Sequence, residues 1–420
     1  MRALLARIEV ASGRVFVTAT ALIVAHMLLD ATFCRPMGTS VGANLGTIVL
    51  PCVIANTAML GFSLMRPGAR AWVAFVFGTL AAADGALHVA HLRRGGGIGG
   101  NDVSGLIAGA AGVVLVLLAG ALVLRPKGSR TPRQRIAKKL GALLGVAATI
   151  ILLVIPLEVT VYIVHKQPVH VPDSALKIEH ENVTLQTSDG LDLAAWYIRP
   201  KRGHGVVITV NGSGGDRRGG ILSRTKLLAR NGFGVLSYDP RGAGDSEGRP
   251  ENLGWTWHRD VEAAVKFLRK RGERRIGILG LSTGAEAAIQ TAGSDSRIDA
   301  VVAEGAQARS FRETWLLPKF GEKVNLVITL GIPFAGNSLL SRVSPPPTLK
   351  RKVRKIAPRP VFLISSGTGF ERDINRVYYD AAKKPKLLWE VTDAPHTGGL
   401  TKHPQQYERR VIGFFELWLA

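Results

Sequence analysis

Gly280-Leu281-Ser282-Thr283-Gly284 directly follows the apolar run Ile276-Gly277-Ile278-Leu279 and precedes Ala285-Glu286-Ala287-Ala288-Ile289-Gln290. The run before it reads as a strand and the run after it as a helix. A Gly-x-Ser-x-Gly turn between two such elements holds the serine in a strained backbone conformation, with its hydroxyl projecting from the sheet edge. The glycines are required where strand and helix backbones pass too close for a Cβ. Such a serine can attack an acyl carbon if a base takes its proton, because an unassisted hydroxyl is a poor nucleophile at neutral pH. A small-residue turn without chemistry is the plain alternative. A second set of ionisable residues, His26, Asp30, Asp84, His88 and His91, lies in or near apolar stretches. An ionisable group in such a stretch is by default a functional candidate. Asp84 and His88, four residues apart, share a helix face. A helix-end pair facing headgroups, or a polar contact inside a bundle, is the alternative there. The only cysteines, Cys34 and Cys52, fall in the same apolar region, so the rest of the chain has no disulfide, thiol nucleophile or cysteine-based metal site.

These residues need elements to position them. The chain has 420 residues, enough for two domains. Its mean hydropathy is above zero, and the apolar residues concentrate before about residue 165. Five stretches there reach the ~20 residues needed to cross a bilayer: Val15–Phe33, Val41–Met65, Ala71–Leu92, Val103–Leu124 and Gly141–Val164. Most are rich in glycine and alanine, which lets helix backbones pack closely in lipid. The first is longer than the apolar core of a signal peptide, and four more follow it. Arg2, Arg7 and Arg14, then Arg66 and Arg70, then Arg125, Lys127, Arg130, Arg133, Arg135, Lys138 and Lys139 all lie on one side of five spans. The other side carries Arg35, Arg93, Arg94 and Lys166. The asymmetry predicts a cytoplasmic N-terminus and an extracytoplasmic C-terminal part. The glycine run over residues 95–100 reads as a flexible loop. The formal net charge is +23, but no basic stripe interleaved with aromatics and no nucleic-acid-binding motif accompanies it. A surface facing anionic headgroups fits the balance better than nucleic acid.

After a linker at 166–176, short apolar strands alternate with helices. Glu181–Gln186 and Leu191–Ile198 flank the turn Ser188-Asp189-Gly190, as in a hairpin. Strands at Gly205–Val210, Gly234–Tyr238, Ile276–Leu279, Ala300–Ala303, Pro360–Ile364 and Lys386–Val391 follow, with helices at Ile221–Asn231 and Trp255–Arg271. Alternation of this kind implies a mostly parallel sheet with helices on both faces. Ligands bind such sheets at the carboxyl ends of the strands. The expected organisation is an all-α transmembrane domain of about five helices (1–165), the linker, and an α/β domain (177–420) with a cap insertion at about 305–359.

Four segments in order give the α/β part a family likeness: Val210-Asn211-Gly212-Ser213-Gly214-Gly215, then Tyr238-Asp239-Pro240-Arg241-Gly242-Ala243-Gly244-Asp245-Ser246, then Gly280–Gly284, then Ala394-Pro395-His396 after a strand. The chain from about residue 176 onward resembles the α/β-hydrolase superfamily, in particular the branch of dienelactone hydrolases and prolyl-oligopeptidase-like serine peptidases. The resemblance implies a doubly wound sheet with Ser282 as nucleophile and His396 as base, in the order serine, acid, histidine. His403 is the second candidate base. The acid belongs after the strand Val361–Ile364, where relatives commonly carry an aspartate and this chain has Gly369 or Phe370. Glu371 is the first choice, Asp373 the second and Asp393 the third. The oxyanion hole is implied at the N–H groups of Thr283 and Ser213; relatives usually have His-Gly where this chain has Asn211-Gly212. Asp239, Arg241 and Asp245 are read as shaping their turn.

The cap holds the apolar stretch Val324–Phe334, then Pro345-Pro346-Pro347, then the basic run Lys350–Lys355. A cap of this kind decides which substrates enter. The basic run is a solvated face or a seat for anionic headgroups. The expected activity is membrane-anchored cleavage of an ester, or an amide or thioester, through an acyl-enzyme on Ser282. The substrate is a small molecule or a lipid acyl group, and no metal or cofactor is required. Acyl transfer to an envelope lipid or sugar uses the same intermediate. A non-catalytic receptor on the same scaffold is the alternative of a different class, and a transporter with a regulatory globular part is a third.

Overall fold

The structure is a computed structural model; it describes all residues except 1, 34–37, 94–98, 125–131, 166–168, 252, 368 and 420. Most of the glycine run, much of the basic loop at 125–130, and Cys34, Arg35, Arg94, Lys166 and Pro168 lie outside the described residues. The chain divides into two compact units, one holding the N-terminal helix and Thr39–Val161, the other running from Tyr162 to the C-terminus.

The first unit is helical: α1 (Arg2–Phe33), α2 (Val41–Gly61), α3 (Pro67–Arg93), α4 (Gly100–Leu124), α5 (Pro132–Thr149) and the part of α6 (Ile155–His165) up to Val161. A π-helical turn at Ile150–Val154 joins α5 to α6, so the fifth apolar stretch is one helical rod. Small residues set the closest contact in the bundle. A Cβ added at Gly85 of α3 would lie 2.6 Å from the Gly109 Cα of α4, a separation only glycine permits. Phe16 of α1 stacks on Phe62 at 3.9 Å between ring centroids.

Among the described residues, six helices are long and apolar enough to cross a membrane, five of them at the N-terminal stretches read from the sequence. The sixth, Phe320–Leu340, lies in the second unit. It cannot be a span. Strands β6 (Ala300–Glu304) and β7 (Val361–Ser366), which precede and follow it, pair side by side in one sheet, so the chain must leave and return on the same side.

The second unit is built on an eight-stranded sheet of order β1-β2-β4-β3-β5-β6-β7-β8, with β1 (Glu181–Gln186), β2 (Asp192–Ile198), β3 (Val206–Val210), β4 (Gly234–Tyr238), β5 (Ile276–Leu281) and β8 (Lys386–Val391) completing it. β1 pairs antiparallel with β2 and β2 antiparallel with β4; all other neighbours are parallel. The helices are α7 (Ile221–Arg230), α8 (His258–Lys270), α9 (Thr283–Ala292), α10 (Phe311–Thr314), α11 (Phe320–Ser341), α12 (Leu349–Val353), α13 (Gly369–Ala381), α14 (Gly399–Lys402) and α15 (Pro404–Leu419); α10 to α12 lie in the segment read as a cap.

The central strands are apolar throughout because both faces are covered. Ile208 of β3 packs with α8, α9 and α13 on one face, and the adjacent Val207 packs with α7 and α15 on the other. This is the mostly parallel α/β sheet with helices on both faces that the alternation implied. In the segment read as a linker, Val171 and Leu176 are buried and join the second of these cores. Helix α11 docks through Leu326, Phe334 and Asn337 while Phe320, Val324, Val327 and Ile328 stay exposed.

Candidate active site

Ser282 follows β5 and caps the N-terminus of α9. Its backbone has φ 53° and ψ −120°, a conformation that costs a non-glycine residue roughly 1–3 kcal/mol. The surroundings hold it there. The Ser282 N–H donates to the Glu304 carbonyl at the end of β6 at 2.8 Å, and the Ala285 N–H donates to the Ser282 carbonyl at 2.8 Å. The flanking glycines are steric requirements. A Cβ on Gly280 would lie 2.1 Å from the Gly284 carbonyl oxygen, and one on Gly284 would lie 2.3 Å from the Val210 carbonyl oxygen of β3.

His396, in the loop after β8, reaches Ser282 from 114 positions away. Its Nε2 stands 2.9 Å from Ser282 Oγ and its Nδ1 stands 2.6 Å from Glu371 Oε2. An ionised carboxylate only accepts, so Nδ1 carries the proton and the Nε2 lone pair faces the serine hydroxyl. Glu371 sits in the first turn of α13, and its other oxygen accepts the Ser366 N–H at 2.7 Å. Burial pushes the Glu371 carboxyl up, but the hydrogen bonds from His396 and Ser366 outweigh it and hold the group below its ordinary value. The carboxylate therefore stays ionised at neutral pH. The imidazole side chain is 40% exposed and the carboxylate 6%, so the chain of contacts runs from the open site into the protein.

The competing candidates go elsewhere. Asp373 pairs with Lys319 at 2.6 Å and Arg372 at 3.3 Å. Asp393 pairs with His403 at 2.7 Å, and neither of these two contacts Ser282 or His396. Thr283 is the first residue of α9, beside the serine. On the β3 loop, Gly212 lies beside Ser282: a Cβ there would lie 3.2 Å from Ser282 Cβ and 3.8 Å from its Oγ. Ser213 is the next residue, exposed, in the turn closed by the Gly215 N–H to the Gly212 carbonyl at 3.2 Å.

Asp239, Arg241 and Asp245 shape their turn. Asp239 accepts the Arg217 N–H at 2.8 Å and the Asp245 N–H at 3.0 Å, while Arg241 binds Asp260 and Asp189. Two features escaped the sequence reading. Gln307 lies beside the imidazole, with Nε2 3.3 Å from His396 Nδ1, and is fixed by Tyr378 Oη donating to its carbonyl at 3.1 Å. Behind the histidine loop, buried Arg224 donates to both oxygens of Glu304, at 3.0 and 3.1 Å, and to the Thr397 carbonyl at 2.8 Å. Tyr407 Oη donates to Glu304 at 2.7 Å. Glu304 thus fixes the serine through its backbone and the histidine loop through its side chain. The available signal was a charged residue ending the apolar strand Ala300–Ala303.

A cleft of about 770 Å³ lies between α8, α9 and residues 341–347. None of Ser282, His396 and Glu371 lines it, so it is separate from the serine site. Among the described residues, the one group of three histidine, aspartate, glutamate or cysteine side chains that converges closely enough for a metal ion is His26, Asp84 and His88, in the first unit.

Residues 201–344 match the family model described as serine aminopeptidase, S33. The uncharacterized protein PA2218 of Pseudomonas aeruginosa is 26% identical over 304 residues, covering 57% of this chain and 81% of its own length. The lysophosphatidylserine lipase ABHD12 of Danio rerio is 27% identical over 124 residues, covering 24% of this chain and 32% of its own length. The chain spans less than half the length of several other curated relatives. Among solved structures, an esterase of Pyrococcus furiosus superposes with a TM-score of 0.50 at 24% identity, covering 60% of this chain and 98% of that one. At that identity the likeness is one of fold.

Proposed function

We propose that the second unit, an α/β-hydrolase by sheet, motifs and relatives, is a serine hydrolase cleaving carboxylic esters, held at a membrane by the N-terminal helices. The observation that carries this reading is the contact chain from Ser282 Oγ through His396 to Glu371, at 2.9 and 2.6 Å. In the proposed cycle, His396 Nε2 takes the hydroxyl proton as Ser282 Oγ attacks the ester carbonyl. Glu371 stabilises the imidazolium that forms. The N–H groups of Thr283 and of the β3 loop at Ser213 serve the developing oxyanion. His396 then returns the proton to the leaving alcohol, giving an acyl-enzyme on Ser282. Water, deprotonated by the same imidazole, releases the acid and restores the hydroxyl.

The cap supports an apolar acyl substrate. Phe311, Trp315, Phe320, Val324, Val327 and Ile328 are all exposed on α10, α11 and the segment between them, and an apolar surface of that kind marks a lipid or ligand contact. A relative that carries a lipase name points the same way. With five spans, the loop charges support a cytoplasmic N-terminus and a hydrolase unit outside the cytoplasm.

The test uses the full chain in detergent micelles with p-nitrophenyl esters from two to sixteen carbons. Hydrolysis that disappears in Ser282→Ala is the expected result, with the longer acyl chains preferred. No hydrolysis of any ester by the folded wild type, or an undiminished rate in Ser282→Ala, would overturn the reading.

A further inference from the structure

The first unit holds a polar cluster that ester hydrolysis does not use. His26 of α1, Asp84 and His88 of α3, and Asp102 and Ser104 of α4 meet inside the helix bundle. His26, His88 and Asp102 are buried, at 5%, 7% and 2% exposure. A ring nitrogen from each of His26 and His88 and a carboxylate oxygen of Asp84 lie within 4.8 Å of one another. Sequence spacing pairs only Asp84 with His88; His26 comes from a different helix.

One placement of the protons opens this cluster to a cation. The Ser104 hydroxyl has two acceptors for its one proton, the Asn101 carbonyl at 3.1 Å and His26 Nδ1 at 2.9 Å. When the proton goes to Asn101, His26 Nδ1 carries the ring hydrogen and donates it to Ser104 Oγ. His26 Nε2 is then a lone pair, yet it stands 3.1 Å from Asp84 Oδ2, an atom that also only accepts. His88 repeats the pattern. Its Nδ1 stands 3.1 Å from Asp102 Oδ1, so it donates there and leaves Nε2 as a lone pair. Asp102 is itself held by the Gly99 N–H at 3.0 Å and by His91 at 3.2 Å. In that tautomer two lone-pair nitrogens and one carboxylate oxygen converge, a donor set that suits a cation. A cation satisfies all three atoms at once, whereas the other tautomer places a hydrogen between His26 Nε2 and Asp84 Oδ2.

The second layer fits a metal. Histidines that bind metals almost always donate their other ring N–H to a carboxylate or another fixed acceptor, which sets tautomer and ring orientation. Asp102 does this for His88 and Ser104 for His26. The separation of 3.1 Å between His26 Nε2 and Asp84 Oδ2 is close to the roughly 3.3 Å between two ligands each about 2.0 Å from a tetrahedral ion. The helix packing also makes room for the ring. A Cβ at Gly105 would lie 2.2 Å from His88 Cδ2, so α4 carries a glycine where the imidazole lies.

We propose that His26, Asp84 and His88 bind one divalent transition-metal ion of the zinc class, with two nitrogens, one oxygen and an open fourth position. The ion ties α1 to α3, and the second-layer contacts of Asp102 and Ser104 extend the tie to α4.

The test uses the full chain without a histidine tag, stripped with chelator in detergent micelles, equilibrated with Zn²⁺ or Co²⁺ and desalted. About one metal ion per chain is expected by elemental mass spectrometry, with the visible bands of tetrahedral Co²⁺. His26→Gln and His88→Ala should fall to background while eluting as the folded protein. His403→Ala, in the second unit, should keep the full load. Asp102→Asn should keep the stoichiometry but bind about 10–100-fold more weakly. If the histidine variants do not accumulate, X-ray absorption at the zinc edge of the wild type decides, with two imidazole nitrogens expected at about 2.0–2.1 Å. Wild type that takes up less than about a tenth of an equivalent from excess metal would overturn the site, with a proton on His26 then bridging to Asp84. Folded His26→Gln and His88→Ala variants that retain the metal would overturn it equally.

Discussion

Replacing Glu371 by glutamine removes one charge from the proposed relay and leaves its shape intact. Glutamine keeps an oxygen for the Ser366 N–H, which now meets Glu371 at 2.7 Å. What disappears is the negative charge beside His396 Nδ1, at 2.6 Å between the bonded atoms. With charge centres about 4 Å apart and an effective dielectric constant near 20, that charge stabilises an imidazolium by about 4 kcal/mol. The half-exposed ring reduces this to roughly 3–4 kcal/mol, so kcat should fall about 10²–10³-fold. Asp373→Asn is the control. Its carboxylate serves Lys319 and Arg372 and not His396, so its loss should leave kcat within about threefold of wild type. The assay is single-substrate ester hydrolysis at pH 8, with thermal melts to verify folding. Glu371→Gln within tenfold of wild type, or a fall in Asp373→Asn as deep as in Glu371→Gln, would refute the assignment of the acid.

Ser282→Gly should unfold at a higher temperature than Ser282→Ala, by about 1 kcal/mol, because only glycine relieves a φ of 53° and its own entropy loss offsets part of the gain; equal melting temperatures would show that the turn is unstrained. Arg224→Met should destabilise the protein by about 3–5 kcal/mol by leaving buried Glu304 unpaired, whereas Arg224→Met with Glu304→Gln should recover most of that loss in denaturant unfolding. Glu286, in the helix that follows the serine, is pushed up to about 8 chiefly by burial. A raised carboxyl binds its proton more tightly when folded, so between about pH 4.5 and 8 stability should decline as pH rises. Glu286→Gln should flatten that slope and raise the melting temperature at pH 8 but not at pH 5; parallel curves would show that Glu286 titrates normally.

Much of the α/β sheet could be read in advance because its strands are buried on both faces and bounded by turn residues. The strand at Gly234–Tyr238 is placed to the residue, and the one before Ser282 runs two residues further than its apolar pattern. The five apolar stretches were equally plain, whereas α11 is apolar enough to pass for a sixth, and only the pairing of β6 with β7 excludes it. Strand order and the sharing of Glu304 between the serine turn and the histidine loop depend on long-range pairing that no local pattern encodes. Glu371 and Asp373 look alike in sequence. Two positions along α13 rotate the side chain by about 200°, which turns Glu371 to His396 and Asp373 to Lys319. His26 was one of several ionisable residues near the spans, and its meeting with Asp84 and His88 depends on how α1 crosses α3, which helix periodicity does not specify.

The account rests on a serine hydroxyl activated by His396, and covalent labelling reads that directly. A fluorophosphonate should add one phosphonyl group to the full chain, mapped by peptide mass spectrometry to Ser282, and the labelling rate should fall at least about a hundredfold in His396→Ala. A folded wild type that takes no label, or labels at another residue, or labels equally fast without His396, would contradict it.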